Sequence, residues 1–303
     1  MMRAFRFLAG LAVLIGIGVF FWPAPPPVSH VYFDAVPKGQ VEIIAHGGGL
    51  GHAPANTIFA LERAVSMGAD VLEADVQQTQ DGVLILRHDD TLDRTTNLTG
   101  LIVDYDWSDL AEADAGARTE IGDTSFAGLG IVIPRLEAAL AQFPDARWIL
   151  EIKNDTDSAA EAMCEVIQTA DAEPRVLVGS FHDGAMKTFR RACPNVATSM
   201  SSGEVRNFVL AARIGASRLI QTEAVAMQIP VSAAGLDLSH PRILNAARAR
   251  GFRVQYWTIN EASEMDRLLD AGADGLITDY VDVGRHRLEA HRAGDLLQRG
   301  PAL

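Results

Sequence analysis

The chain has 303 residues, 48% of them hydrophobic, and a formal net charge of −13. That length and apolar content support a sizeable buried core and exclude a disordered chain. The acidic balance argues against nucleic acid as a partner, but a small phosphate-bearing substrate stays compatible if a cation masks the local charge.

Arg3 and Arg6 flank the start, and an unbroken apolar or glycine run follows from Phe7 to Trp22. A basic start before such a run reads as a signal peptide or a membrane anchor. The run is near the short end of what spans a bilayer, and Trp22 suits an interface. No small-x-small cleavage site follows. Residues 1–22 are therefore expected to form an uncleaved transmembrane anchor, and residues 23–38 a stiff proline-rich linker. The two arginines would keep the amino terminus in the cytoplasm, leaving the following domain on the periplasmic or extracellular side. A cleaved signal, giving a secreted domain, is the alternative.

From residue 39 onward, apolar runs alternate with helical segments. Glu42 to Ala45 has strand character and ends at His46, followed by Gly47, Gly48 and Gly49, which permit a sharp turn. Asn56 or Thr57 can cap the next helix, and Gly68 ends it. In the second strand, Val71 to Val76, alternation puts Val71, Glu73 and Asp75 on one face and Leu72, Ala74 and Val76 on the other. Asp81-Gly82 is a tight-turn signal, and the run from Val83 to Arg87 follows too closely for a parallel crossover. It is expected to pair antiparallel and to carry His88 on an inserted hairpin. The polar stretch from Asp90 to Val132 reads as the rest of a small inserted lobe, spanning about 77–132.

Further strands are expected at Trp148–Lys153, Val176–Ser180, Val196–Met200, Leu219–Thr222, Phe252–Ile259 and Gly275–Thr278, with helices between them. Leaving out the hairpin, eight strands alternate with helices over residues 39–303. That matches a (β/α)8 TIM barrel with a small inserted lobe. A doubly wound open sheet fits less well, because polar groups stand at several strand ends rather than at one switch point. Gly68-Ala69-Asp70-Val71-Leu72 is echoed by Gly272-Ala273-Asp274-Gly275-Leu276, the same helix-to-strand joint. Cys164 and Cys193 lack a Cys-x-x-Cys spacing, which argues against structural zinc. They read as ordinary half-buried residues, with a disulfide the option for an exported domain.

A barrel builds its active site at the carboxyl ends of its strands. His46, Glu73, Asp75, Glu151 and Lys153 fall there, and the hairpin can fold His88 over the same mouth. Three carboxylates from two strands make a hard-oxygen site for Ca2+ or Mg2+ rather than zinc. Without a cation they would raise one another's pKa. Lys153 supplies a point charge for a phosphate oxygen. His46 and His88 are natural general acid–base groups near neutral pH. The composite is a metal-dependent hydrolase on a barrel.

The motifs IIAHGGGLGHAPANT, GADVLEADVQQTQDG, HDDTLDRTTNLTG, IPRLEAAL, LEIKND, VGSF, VQYWTIN and GADGLITD run in order from about residue 43 to 280. In these the chain resembles the glycerophosphodiester phosphodiesterase family. The resemblance implies hydrolysis of glycerophosphodiesters to glycerol 3-phosphate and an alcohol. It implies His46 and His88 as the acid–base pair, Glu73, Asp75 and Glu151 as ligands of a divalent cation, and Lys153 as a phosphate contact. Two positions depart from the family pattern. Gly47 stands where arginine is usual and Ala55 where glutamate is usual. The lost arginine is a charge-assisted phosphate donor. Lys153, the metal, the amides of the glycine turn or His52 are left to replace it. Two other readings stay open: a lysophospholipase D acting on lysophospholipids, and a catalytically silent barrel that binds a phospho-ligand.

Overall fold

The computed structural model describes residues 25–37 and 39–299. The expected anchor at 1–22 lies outside them, and among the described residues no helix is long and apolar enough to cross a membrane.

Thirteen strands and nine helices follow in chain order among the described residues. Those of the barrel are β1 (Glu42–Ala45), β2 (Val71–Gln78), β6 (Trp148–Ile152), β7 (Val176–Gly179), β8 (Ala197–Thr198), β9 (Ala226–Pro230), β12 (Arg253–Trp257) and β13 (Gly275–Thr278). They run parallel in the order β8-β7-β6-β2-β1-β13-β12-β9. An isolated parallel bridge between Ser199 and Ala226 joins the two ends. The barrel helices are α1 (Ile58–Ser66), α3 (Leu136–Gln142), α4 (Asp157–Thr169), α5 (Asp183–Ala192), α6 (Ser202–Arg213), α7 (Pro241–Ala249), α8 (Ala262–Ala271) and α9 (Val281–Arg299). The expected barrel is therefore the observed architecture.

Alternation along each strand divides the core in two. Ile43, Leu72, Ala74, Leu150 and Val254 face outward into one large cluster with the helices. Ile44, Val71, Ile149, Leu177 and Ile277 face inward and fill the barrel. The inner cluster is closed at the amino-terminal end by a 3-10 turn at Val31–Phe33. Tyr32 is fully buried there, with the Arg147 guanidinium 4.1 Å over its ring, and Arg147 pairs with Glu42. The amino-terminal segment thus joins the barrel at the end opposite its mouth.

The repeated Gly-Ala-Asp joint has a shared structural cause. Asp70 precedes β2, and its carboxylate accepts from the Ile43 N–H of β1 at 2.8 Å. Asp274 precedes β13, and its carboxylate accepts from the Val254 N–H of β12 at 2.9 Å. Each aspartate ties the start of its strand to its neighbour.

The lobe begins with β3 (Leu84–Leu86), antiparallel to β2 in the register Val76 to Leu86 and Gln78 to Leu84. It continues through α2 (Trp107–Leu110) and the hairpin β4 (Glu120–Ile121) and β5 (Thr124–Ser125). Ile85, Leu92, Ile102, Leu110 and Ile133 give the lobe its own small core.

Three expectations change. Leu219–Thr222 is not a strand: Ser217–Leu219 forms a 3-10 turn and the strand comes later, at Ala226–Pro230. A further hairpin, β10 (Ser232–Ala233) with β11 (Leu236–Asp237), stands over the mouth. Cys164 and Cys193 are bonded to each other rather than free, linking α4 to the end of α5 across 29 residues. By chain entropy, closing a loop of that length stabilises the fold by about 3.5 kcal/mol.

Candidate active site

The site begins at the turn after β1. Gly47, Gly48 and Gly49 all have positive φ, at 52°, 80° and 88°. A Cβ at Gly48 would come within 2.9 Å of the Ala60 side chain and 3.1 Å of its backbone, so only glycine lets this turn pack on α1. The Gly47 N–H donates to Glu73 Oε2 at 2.6 Å.

β2 and β6 supply the acids. Asp75 stands directly opposite Glu151 in the parallel register, and Glu73 lies two residues earlier on the same face. Ligand oxygens of Glu73, Asp75 and Glu151 lie within 4.8 Å of one another. Lys153 Nζ sits 2.8 Å from Asp75 and 2.9 Å from Glu151. Asn56, buried and with φ of 59°, donates to Asp75 Oδ2 at 2.8 Å and accepts from the Asp75 N–H at 2.9 Å. One strained asparagine thus fixes a carboxylate from two sides.

Each histidine rests on a carboxylate. His46 Nδ1 lies 2.7 Å from Asp279, just past β13. Asp279 is held in turn by Asn260, whose side-chain N–H donates to it at 2.7 Å. His88 is carried to the mouth by the lobe, where the Arg87 N–H donates to the Asp75 carbonyl at 2.8 Å. Its Nδ1 lies 2.8 Å from Asp89, and Arg94 clamps Asp89 with contacts of 2.6 and 3.0 Å. His46, Glu73, His88, Glu151 and Lys153 line one cavity of about 700 Å3.

The electrostatics follow from crowding. Burial and repulsion by Asp75 push Glu73 well above the ordinary carboxylate range. Burial also raises Glu151 despite Lys153. Asp75 is buried as well, yet the Lys153 charge and hydrogen bond hold it below the usual range. Burial opposes charge on His46, but the Asp279 hydrogen bond and the charges of Glu73, Asp279 and Asp75 raise it to about 9. The hydrogen bond from Arg94 brings Asp89 down to about 2. Three converging carboxylate side chains, one of them strongly disfavoured as an anion, make a donor set that fits a hard divalent cation.

All six residues expected at the site meet at the barrel mouth. His52 does not take the place of an arginine there: it pairs with Asp282 at 2.8 Å and lies outside the cavity lining. Gly47 and Ala55, the two departures from the family pattern, are neighbours, since a Cβ at Gly47 would lie 3.3 Å from that of Ala55. Asp279, Asn260, Asp89, Arg94 and the double role of Asn56 were not singled out from the sequence. Asp279 and Asn260 follow strands β13 and β12, so the strand-end rule that found Glu151 reaches them too.

A model of the glycerophosphoryl diester phosphodiesterase family matches residues 46–283. A glycerophosphodiester phosphodiesterase of Bacillus altitudinis is 30% identical over 256 residues, covering 80% of this chain and 96% of the relative. Among solved structures, a glycerophosphodiester phosphodiesterase of Agrobacterium tumefaciens superposes with a TM-score of 0.68 at 24% identity, covering 82% of this chain and 100% of that one. An Oleispira antarctica phosphodiesterase, solved with its product sn-glycerol-3-phosphate, gives 0.66 at 24% identity, covering 82% and 97%.

The histidine chemistry is directly measurable. In the cation-free protein, His46 should titrate near 9 by NMR. A saturating divalent cation should lower that value by neutralising Glu73 and Asp75, and Asp279→Asn should also lower it. Titration near the ordinary histidine value under all three conditions would contradict the arrangement.

Proposed function

The chain belongs to the glycerophosphoryl diester phosphodiesterase family and is a phosphoric diester hydrolase, and we propose that it cleaves glycerophosphodiesters to glycerol 3-phosphate and an alcohol. The observation that carries this reading is the three-carboxylate cluster flanked by two carboxylate-held histidines in one cavity. Glu73, Asp75 and Glu151 would hold the cation, Ca2+ or Mg2+, which when bound polarises the phosphoryl oxygens as a Lewis acid. Lys153 borders the same cluster and offers its charge to a phosphate oxygen.

The histidines divide the proton work. His46 is paired through Nδ1 with Asp279, which supports its protonated form, and is suited to donating a proton to the departing oxygen. His88 is held by Asp89 through Nδ1, which leaves Nε2 free to accept a proton. A glycerol hydroxyl that loses its proton to His88 attacks phosphorus, and the alcohol departs with a proton from His46. Water then opens the cyclic phosphate. Gly47 leaves the first histidine without an adjacent guanidinium, so the phosphate depends more heavily on Lys153 and the cation.

We also propose that the domain lies outside the cytoplasm. The basic and apolar amino-terminal segment supports this, as does a Cys164–Cys193 bridge of the kind that persists in oxidising compartments. Protein taken from intact cells should carry both cysteines blocked to alkylation; free thiols would contradict export.

The activity is tested with glycerophosphocholine and divalent cation. Glycerol 3-phosphate should form and chelator should stop it. His46→Ala should lower turnover by roughly 10²–10⁴-fold while leaving cation binding intact. Turnover that ignores both chelator and this variant would refute the assignment.

A further inference from the structure

Near its mouth the barrel carries carboxylates on one wall and amides on the other. Alternation along the strands fixes which residues point inward. Val178 on β7, Met227 and Ile229 on β9, and Val254 and Tyr256 on β12 pack outward against the helices. Gly179, Gln228 and Gln255 therefore face the barrel axis. Ser199, two residues after the inward Ala197, joins them. Around the closed sheet β9 lies four strands from β2, and β12 lies four from β6, so the glutamines stand across the barrel from the acids. Gly179, Ser199 and Gln228 line the same cavity as Glu73 and Glu151. Gln255 is fully buried, level with Gln228 in the parallel register.

Gly179 opens a gap between the two walls. It stands beside Glu151 in the register of β6 and β7, where adjacent backbones run about 4.8 Å apart. A Cβ at Gly179 would lie 2.8 Å from Ser199 Oγ and 2.9 Å from Gln228 Oε1, so both oxygens converge on the space that the missing side chain leaves. The Gln228 amide is aimed there. Its Nε2 donates to Gln255 Oε1 at 3.1 Å, which turns Oε1 toward the gap. Turning both amides over exchanges donor and acceptor but leaves the same end of Gln228 in the cavity. Gln255 Nε2, fully enclosed, has no hydrogen-bond partner among the described residues. Ser199 is pinned through its carbonyl, which accepts from Arg190 at 3.0 Å, while its hydroxyl has no partner among the described residues.

Buried amides cost free energy unless they are hydrogen-bonded. Methionine would fill the volume of either glutamine without that cost. The pair is of use where something in the cavity meets its open end. A phosphate does not, because an amide oxygen repels a phosphate oxygen, and Lys153 and the acids stand elsewhere. A hydroxyl does, because it donates to the amide and accepts from the serine hydroxyl in one place.

We propose that Gln228 and Ser199 bind the glycerol hydroxyl that neither carries phosphorus nor attacks it, with Gln255 as the positioning residue for Gln228. The identity of the ligand as glycerol rests on the phosphodiesterase reading above. The phosphate end of the substrate lies at the carboxylate cluster, and the third carbon reaches across the Gly179 gap. The two residues thus make the site a reader of glycerol rather than of any alcohol with a neighbouring hydroxyl.

The test gives the full chain, with saturating Ca2+ or Mg2+, two para-nitrophenyl phosphodiesters. One is the ester of a terminal glycerol oxygen. The other is the matching ester of propylene glycol, which keeps the neighbouring hydroxyl and lacks only the third. Nitrophenolate release gives kcat/KM, and calorimetric binding of glycerol 3-phosphate and of propylene glycol phosphate gives the same comparison without turnover. The wild type should prefer the glycerol compound by roughly 10–100-fold in both, because its absence leaves enclosed polar groups unmet. Gln228→Met, Ser199→Ala and Gln255→Met should each shrink that ratio several-fold. A variant that merely folds poorly lowers both substrates together and keeps the ratio. Cleavage of both esters by the wild type at equal efficiency, with equal binding of the two phosphates, overturns the subsite and leaves the phosphodiesterase reading standing. A preference that all three variants retain also overturns it. A binding preference that the variants lose, without cleavage of either ester, supports the subsite and overturns the reaction.

Discussion

Three carboxylates held within 4.8 Å of one another at the mouth of a barrel repel, and the surrounding structure answers that repulsion. Glu73 is met by the Gly47 amide, Asp75 by Asn56 and Lys153, and Glu151 by Lys153. These partners come from the turn after β1, the loop before α1 and the end of β6. The parallel register that sets Asp75 opposite Glu151 is the geometric source of the cluster. Lys153 balances only part of the charge, since Glu73 and Glu151 remain raised. A divalent cation supplies the remainder.

The two histidines stand in different environments for a physical reason. His46 belongs to the barrel and is largely enclosed, so its Asp279 and Asn260 support acts in a low dielectric and its field comes from the cluster itself. His88 rides on the lobe with half its side chain in solvent, and the Arg94 clamp on Asp89 supplies the rigidity that burial does not. The lobe's antiparallel pairing with β2 brings the two together.

Much of this was legible in the sequence. The run from Glu42 to Ala45, the alternation through Glu73 and Asp75, and the Asp81-Gly82 turn each have one simple structural reading. The strand β9 was not legible: Gln228 and Pro230 interrupt it, while Leu219 and Ile220 offer a decoy apolar pair. Residues that position others were hardest to see. Asn56 has the composition of a helix cap, and its grip on Asp75 depends on a left-handed backbone that no spacing rule reports. The pairing of Cys164 with Cys193 depends on how α4 and α5 pack, which 29 intervening residues conceal.

Cation binding tests the account most directly. Calorimetric titration of the full chain with Ca2+ and with Mg2+ should show one site, with proton release on binding because Glu73 must give up its proton. Glu73→Gln and Glu151→Gln should each weaken that binding sharply. Wild-type affinity in both variants, or no binding to the wild type, would contradict the claim that the carboxylate cluster is a cation site.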